Sequence, residues 1–498
     1  MVISSTASYV GGKGSDDGVR KGDPPTLVTT TNTYPERERN MHYAHSFTRF
    51  SVLALGIAGA LACGHAHAAA FQLKENSAKG LGRAFAGSTS APGDASVVAT
   101  NPASMRLLDG RQLQADLSAI SFSAEFEKFG ARHVGPTGPG TGTGTPVTGG
   151  NGGDAGMIAP VPAAYFHVPF GAEDNMHFGL SVTAPFGFKT EYDSDWVGRY
   201  HGIKTDLKAV DLGAAFSYDV NPYVSFGASV FVEHLTIELS SAIDFGTAIY
   251  AQPGGAQLGF RPGNADGTMT IEGDNNAWGF VLGTTVTPVE GTNLAFTYRS
   301  KVEHKITGGK ANFDVPANAA AVLGLVAPGQ YVDTSGRATL TLPAVFNFSI
   351  THALNDRWMV MADLSRTAWS PSFDQVTVDF ASNQPDAVLE FNYNDTTFGS
   401  IGTEYKLSDT VTLRAGVAYD ETPTSYAHRD IRVPDVTRKW LSFGLGWTPS
   451  EKVEYNFGYT HLFTNDPAVN LVSPTGSTLQ GRYDVGGDIL AASINYKF

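Results

Sequence analysis

Reactive side chains are sparse in this chain and poorly grouped. Ser400 stands in Phe398-Gly399-Ser400-Ile401-Gly402, whereas a nucleophile elbow needs glycines two residues before and two after its serine, on a sharp strand-to-helix turn. Here the first glycine is adjacent to the serine and the segment reads as strand, so an esterase stays only as an alternative. Asp193 and Asp195 could divide acid and base roles, but they lie in a polar stretch where water solvates both. His65 and His67 fall in a segment read below as a discarded signal, and the other histidines lack metal-ligand spacing. Gly80-Leu81-Gly82 hints at a dinucleotide fingerprint, yet no strand precedes it and the third glycine is misplaced. The expectation is no enzyme, with no catalytic residue, metal or cofactor. A formal charge of −14 argues against nucleic acid as a partner.

The elements that would position any chemistry are strands with one oily face. From Leu490 to Phe498, Leu490, Ala492, Ile494, Tyr496 and Phe498 alternate with Ala491, Ser493, Asn495 and Lys497, which puts the two sets on opposite faces of a strand. The same period of two recurs over Arg337–Thr351, Val411–Asp420, Val453–Phe463, Val224–Glu233 and Val210–Tyr218. Slipping any of these by one residue would carry polar side chains onto the oily face, so the alternation also sets register. About fourteen such strands can be drawn. Short turns fall near 172–174, 221–222, 288–291, 355–356, 408–409 and 449–451. Long connections fall near 128–157, 188–204, 241–275, 309–335, 371–394, 420–435 and 464–483. Short and long connections interleave throughout, as they do in an outer-membrane barrel and need not in a soluble sandwich.

The N-terminus agrees. Residues 50–63 are apolar, follow Arg49 and precede Ala66-His67-Ala68, which describes an export signal cut after Ala68 and too short to span a bilayer. Met41 is the expected initiator, because export signals normally start the chain. Cys63 is the chain's one cysteine, and Ala60-Leu61-Ala62 lacks the leucine usual three residues before a lipidated cysteine. Without disulfides, an exported protein must draw stability from elsewhere, and a closed barrel does so by pairing every strand edge. Aromatic residues at 11%, charged residues at 16% and 56 glycines suit a chain that turns many rings toward lipid.

Two long connections are apolar. Residues 242–260 carry Ile243, Phe245, Ile249, Tyr250, Leu258 and Phe260, and 317–327 is a helix-compatible ANAAAVLGLVA containing Leu323 and Leu325. They could pack on each other to close the barrel mouth, or form a patch that catches greasy ligands. Residues 134–155 are Gly/Thr/Pro-rich and read as a mobile loop.

Residues 71–103 resemble the N-terminal plug of the FadL/TodX (OmpP1) family of outer-membrane transporters for long-chain fatty acids and hydrocarbons. Phe71-Gln72-Leu73, the run Gly80-Leu81-Gly82-Arg83-Ala84-Phe85-Ala86-Gly87, Asp94-Ala95 and Asn101-Pro102-Ala103 carry the likeness. Thr341-Leu342-Pro343, Trp369-Ser370, Gly416 to Asp420, and Val433-Pro434-Asp435 before Trp440-Leu441 extend it along the chain. The resemblance implies an all-β, 14-stranded antiparallel transmembrane barrel with a plug in its lumen. The expected division is 1–68 extension and signal, 69–110 plug, and 111–498 barrel. It further implies capture by two outside loops (Phe245, Ile249, Leu323, Leu325), then a tight pocket touched by Phe71 and Leu73. Exit would be sideways into membrane lipid, where Pro185 and Gly187 kink the third strand beside Phe186 and Phe188. Transport would be passive. The expected partners are an apolar small molecule, outer-membrane lipid and the barrel-assembly machinery, which would meet the last strand ending in Phe498; a monomer is expected. One departure stands out: Glu233–Ser241 and Asn392–Asp395 lack the basic residues that fatty-acid members use near the pocket. Lys301, Lys305 and Lys310 are the candidate substitutes. Aromatic or aliphatic hydrocarbon is therefore the alternative cargo, and a general porin or a surface adhesin is the alternative role.

Overall fold

The computed structural model describes residues 71–498. The expected initiator Met41, the export signal and the cleavage after Ala68 lie outside the described residues. Among the described residues no helix is long and apolar enough to cross a membrane; the chain is built of strands.

Nineteen strand segments form one antiparallel sheet. They are β1 (Gln112–Arg132), β2 (Met157–Phe170), β3 (Met176–Glu191), β4 (Lys204–Asn221), β5 (Val224–Asp244), β6 (Asp266–Val289), β7 (Thr292–Arg299), β8 (Val302–Asp314), β9 (Thr334–Leu342) and β10 (Ala344–Ala353). They continue as β11 (Trp358–Ala368), β12 (Gln375–Phe380), β13 (Ala387–Glu390), β14 (Thr396–Lys406), β15 (Val411–Asp420), β16 (Arg438–Ser450), β17 (Val453–Phe463), β18 (Ala468–Val472) and β19 (Thr478–Lys497). Breaks within single staves split β7 from β8, β9 from β10, β11 from β12, β13 from β14 and β17 from β18. The result is a closed barrel of fourteen strands, sealed where β1 pairs β19 from Gln112↔Lys497 to Arg132↔Thr478. Closure leaves no sheet edge in lipid, where an unpaired backbone group would cost several kcal/mol.

The expected alternation holds. Leu490, Ile494, Tyr496 and Phe498 face outward while Ala491, Ser493 and Asn495 are buried. The short turns also fall as expected, but several strands run further outward than the sequence suggested. β1 reaches Arg132, β3 reaches Glu191, β5 reaches Asp244 and β6 begins at Asp266, because these strands keep pairing above the bilayer, where no lipid demands an apolar face. The Gly/Thr/Pro-rich 134–155 segment is mostly exposed and is anchored on the outer cap through Val147 and Ala155. A Cβ on Gly152 would meet the Tyr192 and Trp196 rings at 2.9 and 3.0 Å, and its φ of +95° also favours glycine.

Residues 71–110 touch strands on every side of the ring. Helical turns α1 (Ala78–Leu81) and α2 (Val97–Thr100) lead to a 3-10 turn over Pro102–Leu107. Arg83 Nη1 meets Glu404 of β14 at 2.5 Å, Lys79 Nζ meets Glu454 of β17 at 2.8 Å, and Ser90 Oγ lies 2.7 Å from both Ser349 and Thr351 of β10. Asn101 donates through Nδ2 to Thr89 O, Ser104 Oγ and Thr285 Oγ1, and Pro102-Ala103 press on Gly227 of β5. Gly80 lies under the Phe85 ring, and Gly82 meets the wall backbone to backbone: a Cβ on Gly444 would stand 2.7 Å from the Gly82 Cα. Gly444→Leu should therefore overpack this seam by about 1–3 kcal/mol. A lower urea midpoint for the heat-modifiable folded band would show it; an unchanged midpoint would mean the seam yields.

Candidate functional site

The wall opens beside β3. β2 and β3 pair only from Ala164↔Val182 to Phe170↔Met176. Above that point the two strands part, until Glu191 N donates to Ala155 O at 3.3 Å. Ala164 lies six residues before the end of β2, roughly 15 Å up a tilted strand. The gap thus faces the outer half of an apolar band about 25 Å tall. β3 continues through this point without ending. It runs through Pro185 and Gly187 with a register shift against β4 between Thr183 and Phe186, so Pro and Gly mark a bulge here and not a break.

The N-terminal residues occupy the edge that β2 leaves. Leu73 N donates to Pro185 O and Gly187 N donates to Phe71 O, each at 2.8 Å, around a Gln72–Phe186 bridge. Leu73 lies in the apolar cluster that includes Ala159 and Val161 of β2, with Ala184 of β3 packed on it. Phe71 enters an aromatic cage, its ring centroid 4.8 Å from Trp369 and 4.9 Å from Phe373. The breaks after β11 and β13 fold those rings and Tyr393 inward.

Above this stopper is a narrow cavity with an almost wholly apolar lining, partly open to solvent. Phe71 and Phe188 form part of its wall with Leu207, Ile306, Leu340 and Phe391. Arg432, from the loop after β15, is among the residues that border it. Its Nη1 donates one long hydrogen bond to Ser240 O at 3.3 Å, and its buried Nε has no partner. Burial pulls its pKa below the ordinary arginine value, with Asp430 opposing. Arg337 also borders the cavity but pairs with Asp379 at 3.0 Å. On the far side of residues 72–74 is a second, more polar chamber bounded by Lys74, Asp363 and Pro185. Lys74 Nζ sits 4.2 Å over the Phe398 ring. Desolvation lowers its pKa against Asp420, Asp363 and Glu75, and desolvation raises that of Glu75 to about 7.

Phe71, Leu73, Pro185, Phe186, Gly187 and Phe188 thus come together between cavity and gap. The loop residues lie elsewhere. Phe245 and Ile249 on α3 (Phe245–Tyr250) pack with Leu323 on α4 (Ala317–Val326) in a separate cluster, while Leu325 is 84% exposed. Lys301, Lys305 and Lys310 do not line the cavity, and Lys305 turns outward to Glu303 at 2.9 Å. Arg432 borders the cavity in their place. No sequence signal beyond the neighbouring Val433-Pro434-Asp435 marked it. Among the described residues no group of three or more His, Cys, Asp or Glu could hold a metal.

A closed barrel with a lipid-facing outer wall, a filled lumen and a greasy internal cavity defines the class: an outer-membrane transporter for apolar molecules. Residues 59–498 match the family described as outer membrane protein transport protein (OMPP1/FadL/TodX), and the chain belongs to that family. Its members are transport channels and not enzymes. The chain is 28% identical over 431 residues to outer membrane protein P1 of Haemophilus influenzae, covering 83% of this chain and 90% of the relative. It is 28% identical over 442 residues to the long-chain fatty acid transport protein of Escherichia coli K12, covering 85% and 94%. The crystal structure of a Pseudomonas aeruginosa FadL homologue superimposes with a TM-score of 0.77 at 28% identity, covering 86% of this chain and 99% of that one.

Proposed function

We propose that this barrel carries long-chain fatty acids passively into the outer membrane. The observation that carries the reading is Arg432, an under-satisfied cation at an otherwise apolar cavity. A carboxylate would complete its hydrogen bonding, and each methylene of an acyl chain gains about 0.8 kcal/mol by staying out of water. The exposed Leu325, Val326 and Leu258 of the outer loops supply the first capture surface. Residues 71–110 act as the plug, and displacement of Phe71-Gln72-Leu73 connects the cavity to the gap between β2 and β3, where the cargo leaves sideways. The kinship with a fatty acid transport protein supports this cargo. An uncharged hydrocarbon is the second reading, favoured by the almost wholly apolar cavity wall. The outward aromatic pattern of β19 supports recognition by the assembly machinery, and the barrel works alone.

The test is uptake of labelled oleate and labelled toluene by cells lacking their own transporter. They would carry a barrel with Ala163→Cys and Thr183→Cys placed across the start of the gap. Uptake that stops on oxidation and returns on reduction is expected. Wild-type uptake through the oxidised barrel would overturn lateral release. Uptake of neither label by a folded wild-type barrel would overturn transport and favour an adhesin.

A further inference from the structure

The gap leaves two strand edges open at membrane depth, where unpaired N–H groups are costly. One edge, that of β3, is covered by residues 71–73. The other belongs to β2 and is treated differently. β2 pairs with β1 without a register shift from Gln112↔His167 to Phe122↔Met157, with Ala119 opposite Pro160 and Leu117 opposite Pro162. Proline has no N–H, so an unbroken ladder holds it only where the missing donor points away from β1. Directions alternate along an antiparallel strand. The even-numbered positions of this segment therefore face the gap, and Ala155 N, donating to Ala124 O of β1, fits the same parity. The gap-facing positions between that contact and the β3 ladder are thus 156, 158, 160 and 162. Gly156 N is taken by the Asp154 carboxylate at 2.9 Å, Pro160 and Pro162 have no donor, and Ile158 alone keeps one.

We propose that Pro160 and Pro162 are positioning residues that hold the portal open by stripping the gap-facing edge of β2 of the donors it would need to zip onto β3. Two N–H groups at these positions would give β2 and β3 a reason to close over the gap in competition with residues 71–73. Two prolines spaced by two keep the β1 ladder whole and spoil only the far edge. The inference rests on the lateral-release reading for its purpose but not for its geometry.

The experiment uses the full-length barrel with the Ala163→Cys, Thr183→Cys pair and compares disulfide formation with and without Pro160→Val plus Pro162→Val. At least a threefold faster closure in the double variant is expected; an unchanged rate in a folded barrel would overturn the proposal. Pro169→Val, a substitution of the same kind within the β2–β3 ladder, should leave the rate unchanged, and an equal acceleration there would also overturn it. Parity is tested separately: Ile158→Pro should fold, whereas Ala159→Pro, which takes a donor from the β1 ladder, should lower the yield of folded barrel. Equal tolerance of both would sink the edge assignment. Uptake is read in the same strains. Faster closure without loss of uptake would leave the proline assignment standing and count against the lateral route alone.

Discussion

An Arg432→Met barrel is expected to need about ten to a hundred times more oleate for half-maximal uptake, while toluene uptake stays within about twofold. A hydrogen bond to a charged group contributes about 1.5–3 kcal/mol, and 1.4 kcal/mol is tenfold in affinity. Arg432 borders the cavity, and its guanidinium has one long bond and an unpartnered Nε, so that gain is open to a ligand carboxylate that reaches it. Toluene has no charge to lose. Removing the cation also leaves Asp430 without its opposing charge, so Arg432→Met combined with Asp430→Asn serves as the control for folding. Equal losses for both labels in the combined variant would mean that Arg432 shapes the cavity and does not read a headgroup. Unchanged oleate uptake would move the cargo toward hydrocarbon.

Arg83→Met should have the largest effect on the lumen. Its guanidinium bridges Glu404 at 2.5 Å and approaches Asp94 at 3.7 Å, in a chain of charges that runs through Arg414 to Glu454 and Lys79. Removing one partner of a buried pair costs about 3–5 kcal/mol because the remaining charge stays in low dielectric. Asp94 is the group left exposed to that penalty. Its carboxyl is held below the ordinary range by Arg83 and Lys79 together, against desolvation, which raises it. The expected outcome is a barrel that keeps its strands but loses its seated N-terminal segment, seen as new ion conductance in planar bilayers and as cleavage within 78–108 by added protease. Silent bilayers and a protected segment would show that the glycine seam and the Asn101 bonds hold the plug without the ion pairs.

The strands were legible because lipid enforces a period of two, and the turns because tight reversals need Asn, Asp, Gly or Pro. Legibility faded where the enforcing medium ended. Nothing in Ser241–Asp244 or Asp266–Asn275 required alternation, so paired strand was read as loop. Pro185 and Gly187 marked where β3 shifts register, but not that residues 71–73 pair with the strand there. Lys301, Lys305 and Lys310 drew attention as charges on and beside β8, whereas Arg432 reaches the cavity from a loop that only tertiary packing turns inward. Phe71 and Leu73 were legible through family likeness, but the cage of Trp369, Phe373 and Tyr393 around Phe71 was not, because it is assembled from two breaks far apart in sequence. Pro160 and Pro162 stood in plain view within a strand. Their meaning depends on which edge of β2 lacks a neighbour.

The backbone contact between Gly82 and Gly444 also constrains the order of manufacture. A segment that meets the wall with no side chain between, and carries Arg83 and Lys79 to partners on two strands, β14 and β17, has no way into a finished cylinder. It must be enclosed while the long β1–β19 seam is still open, much as a hull is laid before the bottle's neck is drawn. The lumen's contents would then be part of the mould on which the cylinder closes, and a chain with a misfitting core would stall before insertion and not leak after it.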